Sequence, residues 1–571
     1  MISLASRQFG LAEGMQGMAE ATVRQRQKRA LTARSIVLGA VGSAILTASS
    51  LFIALRMGML PWPIAFAAIV SVLFLRVLGS HNLHEANVTH AAMSAGSMVA
   101  GGVAFTVPAL WILGLGEDLS VSQVLFATLG GTVLGLIACA ALQPYFIREK
   151  RLAFPIGTSA ADTIRAVGDT AAADAPALFG GMGFAAAYAA LRDVAGLFPQ
   201  ILFAITAIPG IASFGIYNSP MTIAVGFMVG VVPALVWFLG ALIGHFGIAF
   251  GLPALSLVGL SEAADMRVSL GLGLMLGCGA GMIVASMRAA HARERKANRP
   301  AEDERSRRIS CPRAVIGIVS AAVACFLSFA LGWGLLAGVL VTLCAWFCVY
   351  LAAWLVGSTG IDPMEIFGIL VLILVQVLFR QISTTSLFLV ATVVAVACGV
   401  GGDVMNDLKA GDSLETDPRD QFWGMVVGSV VGAVVASFLI IGMHEVYGSQ
   451  AFGPNGLFVS VQATNVVAMA GGIPHIPAFV VGLVAGCVMA LAGLPVMTLG
   501  LGVYLPFYLS SGAVLGAAVS LFLKRRHKAD AAAAVAAKEA RTQAVASGIL
   551  GGESLVGVLI ALVALAMTLA A

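Results

Sequence analysis

The sequence predicts an all-α polytopic membrane protein with about 14–16 transmembrane helices in two related halves, interrupted by broken or re-entrant helices. Three observations predict it. Of 571 residues, 59% are hydrophobic and only 11% charged, against roughly a quarter charged in a soluble domain, so the chain cannot cover itself with a water-facing surface. Apolar runs of about 20 residues, long enough to cross a ~30 Å hydrocarbon layer as a helix, recur from Ser35 onward. These runs lack the alternation of apolar and polar residues that marks a transmembrane barrel, the other fold that satisfies its backbone in lipid.

Taken in order, spans are expected near 35–55, 61–79, 91–115 and 121–146. The next piece, 154–167, is short and broken by Pro155 and Gly157, and reads as a half-helix or re-entrant segment. Spans near 177–190, 196–217, 221–250 and 268–288 complete the first half. The second half begins at Ala314, with spans near 315–331, 333–356, 361–379 and 383–400, then a charged segment from Asp403 to Asp420. After it come 421–443, a short piece at 457–471, then 477–493, 495–523 interrupted at Pro506, and 546–570. The chain thus divides into a cytoplasmic tail 1–34, a first transmembrane half 35–288, a basic cytoplasmic loop 289–313, a second transmembrane half 314–523, an alanine-rich linker 524–545 and a last helix 546–571. Each half has four spans followed by a polar interruption containing Pro and Gly. Matched interruptions of this kind mark transporter binding sites, because unwound backbone offers free N–H and C=O groups. Glycines at four-residue spacing, Gly424, Gly428 and Gly432 and also Gly273, Gly277 and Gly281, allow close helix packing in lipid.

Charge sets the expected orientation. Of the 32 Lys and Arg, 26 fall in five segments: Arg7–Arg34, Arg148–Arg151, Arg288–Arg313, Asp403–Asp420 and Lys524–Arg541. The positive-inside rule puts all five in the cytoplasm, as in a bacterial inner-membrane protein with a cytoplasmic N-terminus. Topology accounts for these patches without a nucleic-acid partner. The first 34 residues lack the short apolar core and cleavage pattern of a removable signal, so the first helix reads as a signal anchor. The eight cysteines form no CxxC pair and are expected to be buried, unpaired thiols.

The most specific string is Asp403-Val404-Met405-Asn406-Asp407-Leu408-Lys409-Ala410-Gly411, continuing through Thr416, Asp417, Pro418 and Arg419. It resembles the signature of the oligopeptide transporter family, an Asp-Leu-Lys-x-Gly core followed by a Pro-Arg pair before the next helix. Three more segments resemble the yellow-stripe-like branch: Lys150 to Thr158, Glu85 to Gly96 leading into Phe105 to Trp111, and Gly502-Val503-Tyr504-Leu505-Pro506. The Asn-Pro-Gly motif of the peptide-transporting branch is not evident. The Lys-Ile-Pro-Pro-Arg ending stands here as Glu415-Thr416-Asp417-Pro418-Arg419, which argues against fungal-type specificity. The resemblance implies a secondary active symporter that imports small peptides or peptide-like metal chelates, with the proton gradient as its energy source and no other cofactor.

The residues themselves leave more than one reading open. On a helix Asp403 and Asp407 share a face and repel, so one would take up a proton unless Lys409 or Arg419 neutralised it. The rival reading is a solvated cytoplasmic loop. Glu85, just before an apolar span, is a proton-coupling or substrate-ammonium contact, or else an interfacial carboxylate. Thr158 and Ser159 sit near a helix start, where free N–H groups favour a peptide carboxylate. Tyr217 and Asn218 mark a break whose side chains line the path or form a simple turn. Lys409 and Arg419 are further substrate contacts. His90 and His245 read as packing residues, Asp162 and Arg165 as a mutual pair, Arg56 and Arg380 as cations reaching to headgroups, and Glu553 as interfacial. There is no phosphate-binding loop, HExxH or nucleophile elbow, so neither ATP-driven transport nor an enzyme is expected. A passive channel or a non-transporting scaffold is the alternative. A homo-oligomer is compatible with the sequence.

Overall fold

The computed structural model describes residues 30–57, 60, 64–116, 119–152, 154–205, 214–294, 309, 312–359, 362, 364–453, 456–471, 473–526 and 532–570. Most of the tail 1–34, most of the loop 289–313 and part of the linker 524–545 lie outside the described residues.

The first half contains α1 (Ala33–Met57), α2 (Ile64–Val77), α3 (Leu83–Thr106), the short α4 (Pro108–Ile112), α5 (Val121–Gln143) and α6 (Pro155–Asp193). A hairpin of β1 (Ile201–Ile205) and β2 (Phe214–Tyr217) follows, then α7 (Pro220–Val229), α8 (Val231–Ala241) and α9 (Leu260–Glu294). The second half contains α10 (Arg313–Ala330), α11 (Leu335–Thr359), α12 (Met364–Leu378), α13 (Thr384–Ser413) and α14 (Pro418–Tyr447). It continues with α15 (Val461–Gly471), α16 (Ile476–Leu491), α17 (Val496–Tyr504), α18 (Phe507–Arg526) and α19 (Ala532–Ala570). Among the described residues ten helices are long and apolar enough to cross a membrane, and four shorter apolar helices accompany them. The protein is an integral membrane protein of almost wholly helical fold.

Small residues decide which helices are central. Both α13 and α3 are buried along nearly their whole length. In lipid, association depends on close packing rather than on hydrophobicity, and glycines supply the approach. A Cβ on Gly428 of α14 would stand 1.8 Å from the Ala92 carbonyl of α3, and one on Gly432 would stand 2.5 Å from Gly96 Cα. On the other flank, Gly131 and Gly135 of α5 press on α13, where a Cβ would meet the Val393 and Ala397 carbonyls at 2.5 and 2.7 Å. The second glycine series does the same for α9, with Gly273, Gly277 and Gly281 against Phe479, Leu483 and Cys487 of α16.

Four expectations need correction. The stretch 196–217 is not a span: its ends pair as an antiparallel hairpin, Ile201 opposite Tyr217 and Ile205 opposite Phe214. Apolarity is common to strands and helices, and Pro199 and Pro209 oppose a continuous helix. Strand edges within a membrane protein survive where protein satisfies them, and the Ser511 hydroxyl donates to the Gly215 carbonyl at 2.7 Å. Second, the expected half-helix 154–167 and the span 177–190 are parts of one helix, α6, which passes through Pro176. Third, 221–250 is divided at Gly230, whose φ of 97° is accessible mainly to glycine. Fourth, the helix expected at 383–400 runs on to Ser413, so the first part of the charged segment is helical and buried rather than a loop.

Candidate functional site

The buried part of that segment forms the most polar spot on α13. Asp403, Asn406 and Asp407 are 0%, 2% and 3% exposed. At four-residue spacing the two carboxylates face α3 together. There the Ser94 hydroxyl donates to both oxygens of Asp403 at 3.0 and 3.1 Å, and His90 Nδ1 stands 3.8 Å from Asp407 Oδ1. Asp407 Oδ2 and both ring nitrogens of His90 are buried without a hydrogen-bond partner. The neighbouring Asn406 turns to α6: its Oδ1 accepts from the Gly157 N–H at 3.2 Å. Gly157 is required there, since a Cβ would stand 2.2 Å from the Asn406 carbonyl. The chain reaches this contact through Phe154, fully buried in a left-handed conformation with φ of 43°, its N–H donating to the Gly357 carbonyl at 2.9 Å.

The cations proposed as partners are elsewhere. Lys409 is half-buried and Arg419 exposed, and among the described residues neither forms an ion pair with Asp403 or Asp407. A residue two positions after Asp407 points about 200° away around the helix, which explains Lys409. Sequence reading also missed Asp362. Both its oxygens are buried without hydrogen bonds, and a Cβ on Gly402 would stand 2.5 Å from Asp362 Oδ2, beside Asp403. The only signal was an acidic residue at the start of an apolar run. Among the described residues no three His, Cys, Asp or Glu side chains converge as a metal site would need.

Glu85 is not part of this group. It lies five residues before His90 on α3, turned about 140° from it. It is 1% exposed and is held by the Thr32 and Ser80 hydroxyls, with Arg34 Nε at 3.5 Å. Beside it opens a cleft of ≈ 460 Å³ lined by Arg76, Ser80, His81, Asn82 and Arg165. Thr158 and Ser159 are exposed on the first turn of α6, and the Asp162–Arg165 pair, 3.4 Å apart, is exposed close by.

Tyr217 and Asn218 lie at the other end of the molecule. Arg34 and Arg56 stand at opposite ends of α1, about 33 Å apart along its axis, and Arg56 Nη1 donates to the Tyr217 hydroxyl. Asn218 accepts from the Tyr188 hydroxyl and donates to the Pro199 carbonyl at 2.9 Å. Next to them Arg192 Nη2 pairs with Glu553 Oε1 at 2.9 Å, and Glu553 also accepts from the Ser219 hydroxyl at 2.7 Å and the Met221 N–H at 2.8 Å. Arg56 and Glu553 are therefore buried within protein, whereas Arg380 is exposed. His245 is buried with Nε2 2.8 Å from the Leu505 carbonyl, while its Nδ1 has no hydrogen-bond partner.

The sequence model described as "OPT oligopeptide transporter protein" matches residues 30–564. A Haemophilus influenzae protein named "Putative oligopeptide transporter" is 23% identical, the match covering 87% of this chain and 90% of that protein.

Proposed function

Because the chain belongs to the oligopeptide transporter family, we propose that it is a secondary active importer of short peptides, or of peptide-like metal chelates, driven by the proton gradient. The observation that supports this reading is the Asp403–Asp407 pair: buried carboxylates on the most enclosed helix, opposite a buried His90, with no Lys or Arg among the described residues paired to either. Ionisable groups at such depth are costly unless something offsets them. A proton on one carboxylate and the ammonium of a peptide on the other offset both, and the loaded protein then rearranges without moving bare charge. Empty of substrate, the pair resists that rearrangement, which ties cargo to protons.

The basic segments set the direction. With the Arg34 end in the cytoplasm, the cleft beside Glu85 is the inner exit, and Lys409 and Arg419 belong to its positive surroundings. Glu85 then receives the departing proton or ammonium at the exit rather than holding it in the core.

Proteoliposomes loaded with a pH-sensitive dye test the reading. On external addition of a mixed di- and tripeptide pool under an inward proton gradient, the lumen should acidify faster than with the gradient alone, and peptide should accumulate above its external concentration. Uptake of equal extent with and without the gradient would remove the proton from the mechanism. Ionic conductance without accumulation would favour a passive channel.

A further inference from the structure

Two buried guanidiniums meet at one phenol, and they are treated differently. Arg192, 3% exposed, is neutralised: its Nη2 stands 2.7 Å from Asp193 and 2.9 Å from Glu553, and its guanidinium lies 5.8 Å from the Tyr217 ring centre. Arg56, 9% exposed, donates to the Tyr217 hydroxyl, yet its Nε is buried without a partner. Among the described residues no carboxylate lies within ion-pair distance of it, and the segment Met57 to Pro63 that follows contains no acid. A cation at a helix end that merely reached to headgroups would be exposed. This one is turned inward with no carboxylate in contact, since Asp193 and Glu553 are both held by Arg192, and a buried charge without a contacting counter-ion is costly.

The surroundings suit a carboxylate. The Arg56 guanidinium lies 5.2 Å from the Phe52 ring centre. Tyr508 lies 5.5 Å from Tyr217, and Phe458 lies 5.9 Å from Phe52 and 5.4 Å from Tyr447. A planar fork of N–H donors matches a carboxylate. Phenols add O–H donors, and ring faces accept apolar side chains.

We propose that Arg56, with Tyr217, Tyr447 and Tyr508, is a receptor for the C-terminal carboxylate of the transported peptide, at the end of the molecule remote from Glu85. The proposal rests on the peptide reading above and deepens it. The Arg56 end presents cationic and phenolic groups to the peptide's carboxylate about 20 Å along the helices from the α13 carboxylates, beyond the ~11 Å reach of a tripeptide, so a short peptide meets the two groups in succession and not at once. Chelates enter by the same rule only if they carry a free carboxylate.

Binding of N-acetylphenylalanine and of N-acetylphenylalaninamide to the purified full-length protein in nanodiscs tests this without requiring transport. The acid should bind at least about tenfold tighter than the amide, because a hydrogen-bonded charge is lost in the amide. Arg56→Gln should abolish that preference with little change in melting temperature, and Arg56→Lys should keep part of it. If Arg56→Gln does not fold, Tyr217→Phe serves instead and should reduce the preference several-fold. Equal binding of acid and amide, binding of neither, or a preference untouched by these substitutions overturns the proposal. Exchange of trialanine and its C-terminal amide across proteoliposomes separates the two levels. Equal exchange of both sinks the subsite and leaves peptide transport standing. An acid preference in binding with no exchange of either sinks peptide transport and leaves the anion receptor standing.

Discussion

The cluster around Glu553 and the cluster around Asp407 use the same chemistry to opposite ends. Glu553 is 2% exposed and accepts from Arg192, from the Ser219 hydroxyl and from the Met221 N–H, so its charge and lone pairs are met. Asp407, equally buried, has one oxygen with no hydrogen bond and the other 3.8 Å from an imidazole. A saturated buried pair is structural, because removing one partner strands the other. An unsaturated one keeps valence for something that arrives and leaves. On the proposed reading, the contrast separates the groups that hold this transporter together from those that work in it.

Asp407→Asn should have the largest functional effect. It removes an incompletely paired charge and keeps the shape, so melting temperature should stay level or rise, while peptide accumulation in proteoliposomes should fall to the level seen without a gradient. Loss of folding with loss of uptake would place Asp407 with the structural groups and break the comparison. Asp403→Asn should be milder, since an amide still accepts from Ser94.

Glu553→Gln should do the reverse. Stability should drop by about 3 kcal/mol, the low end for a broken buried pair, because Asp193 stays on Arg192 at 2.7 Å. Thermal denaturation in detergent measures it. The double variant Arg192→Gln with Glu553→Gln should recover part of the loss, since removing both partners is cheaper than removing one. A double variant less stable than the sum of the singles would mean that the pair is not the unit.

Much of this was legible in the residues. Hydropathy marked the spans, and the glycine series in α14 and α9 marked the tight contacts, because in lipid small side chains have few other uses. The Asp403 string was legible as a motif. Its burial was not, since a charged run after an apolar one reads equally as a loop, and what decides is the neighbouring helix: Ser94 and His90 on α3 give α13 a polar groove. Asp362, Arg192 and Arg56 were illegible for a related reason. Each ends or begins an apolar run, where a charge ordinarily faces headgroups, and only packing shows that Arg192 turns inward to Glu553, 361 positions away in sequence. The hairpin at 201–217 was hidden because periodicity is uninformative in a continuously apolar stretch.

Glu85 lies between the two types, and its substitution should show the smallest effect and sharpen the boundary most. The carboxylate is buried, but its partners are two hydroxyls and an Arg34 whose side chain is 43% exposed. Glu85→Gln keeps an acceptor for Thr32 and Ser80 and loses only a half-solvated ion pair, so stability should change by less than about 1 kcal/mol. If the coupled charge is held beside His90 and Asp407, as proposed, Glu85, turned away from both, does not hold it. Accumulation ratio at equilibrium should therefore be unchanged, and only the initial rate should fall, by a few-fold, as release into the cleft slows. A collapse of the accumulation ratio in Glu85→Gln would move the coupling site from α13 to the Arg34 end and would recast Asp407 as part of the route rather than its centre.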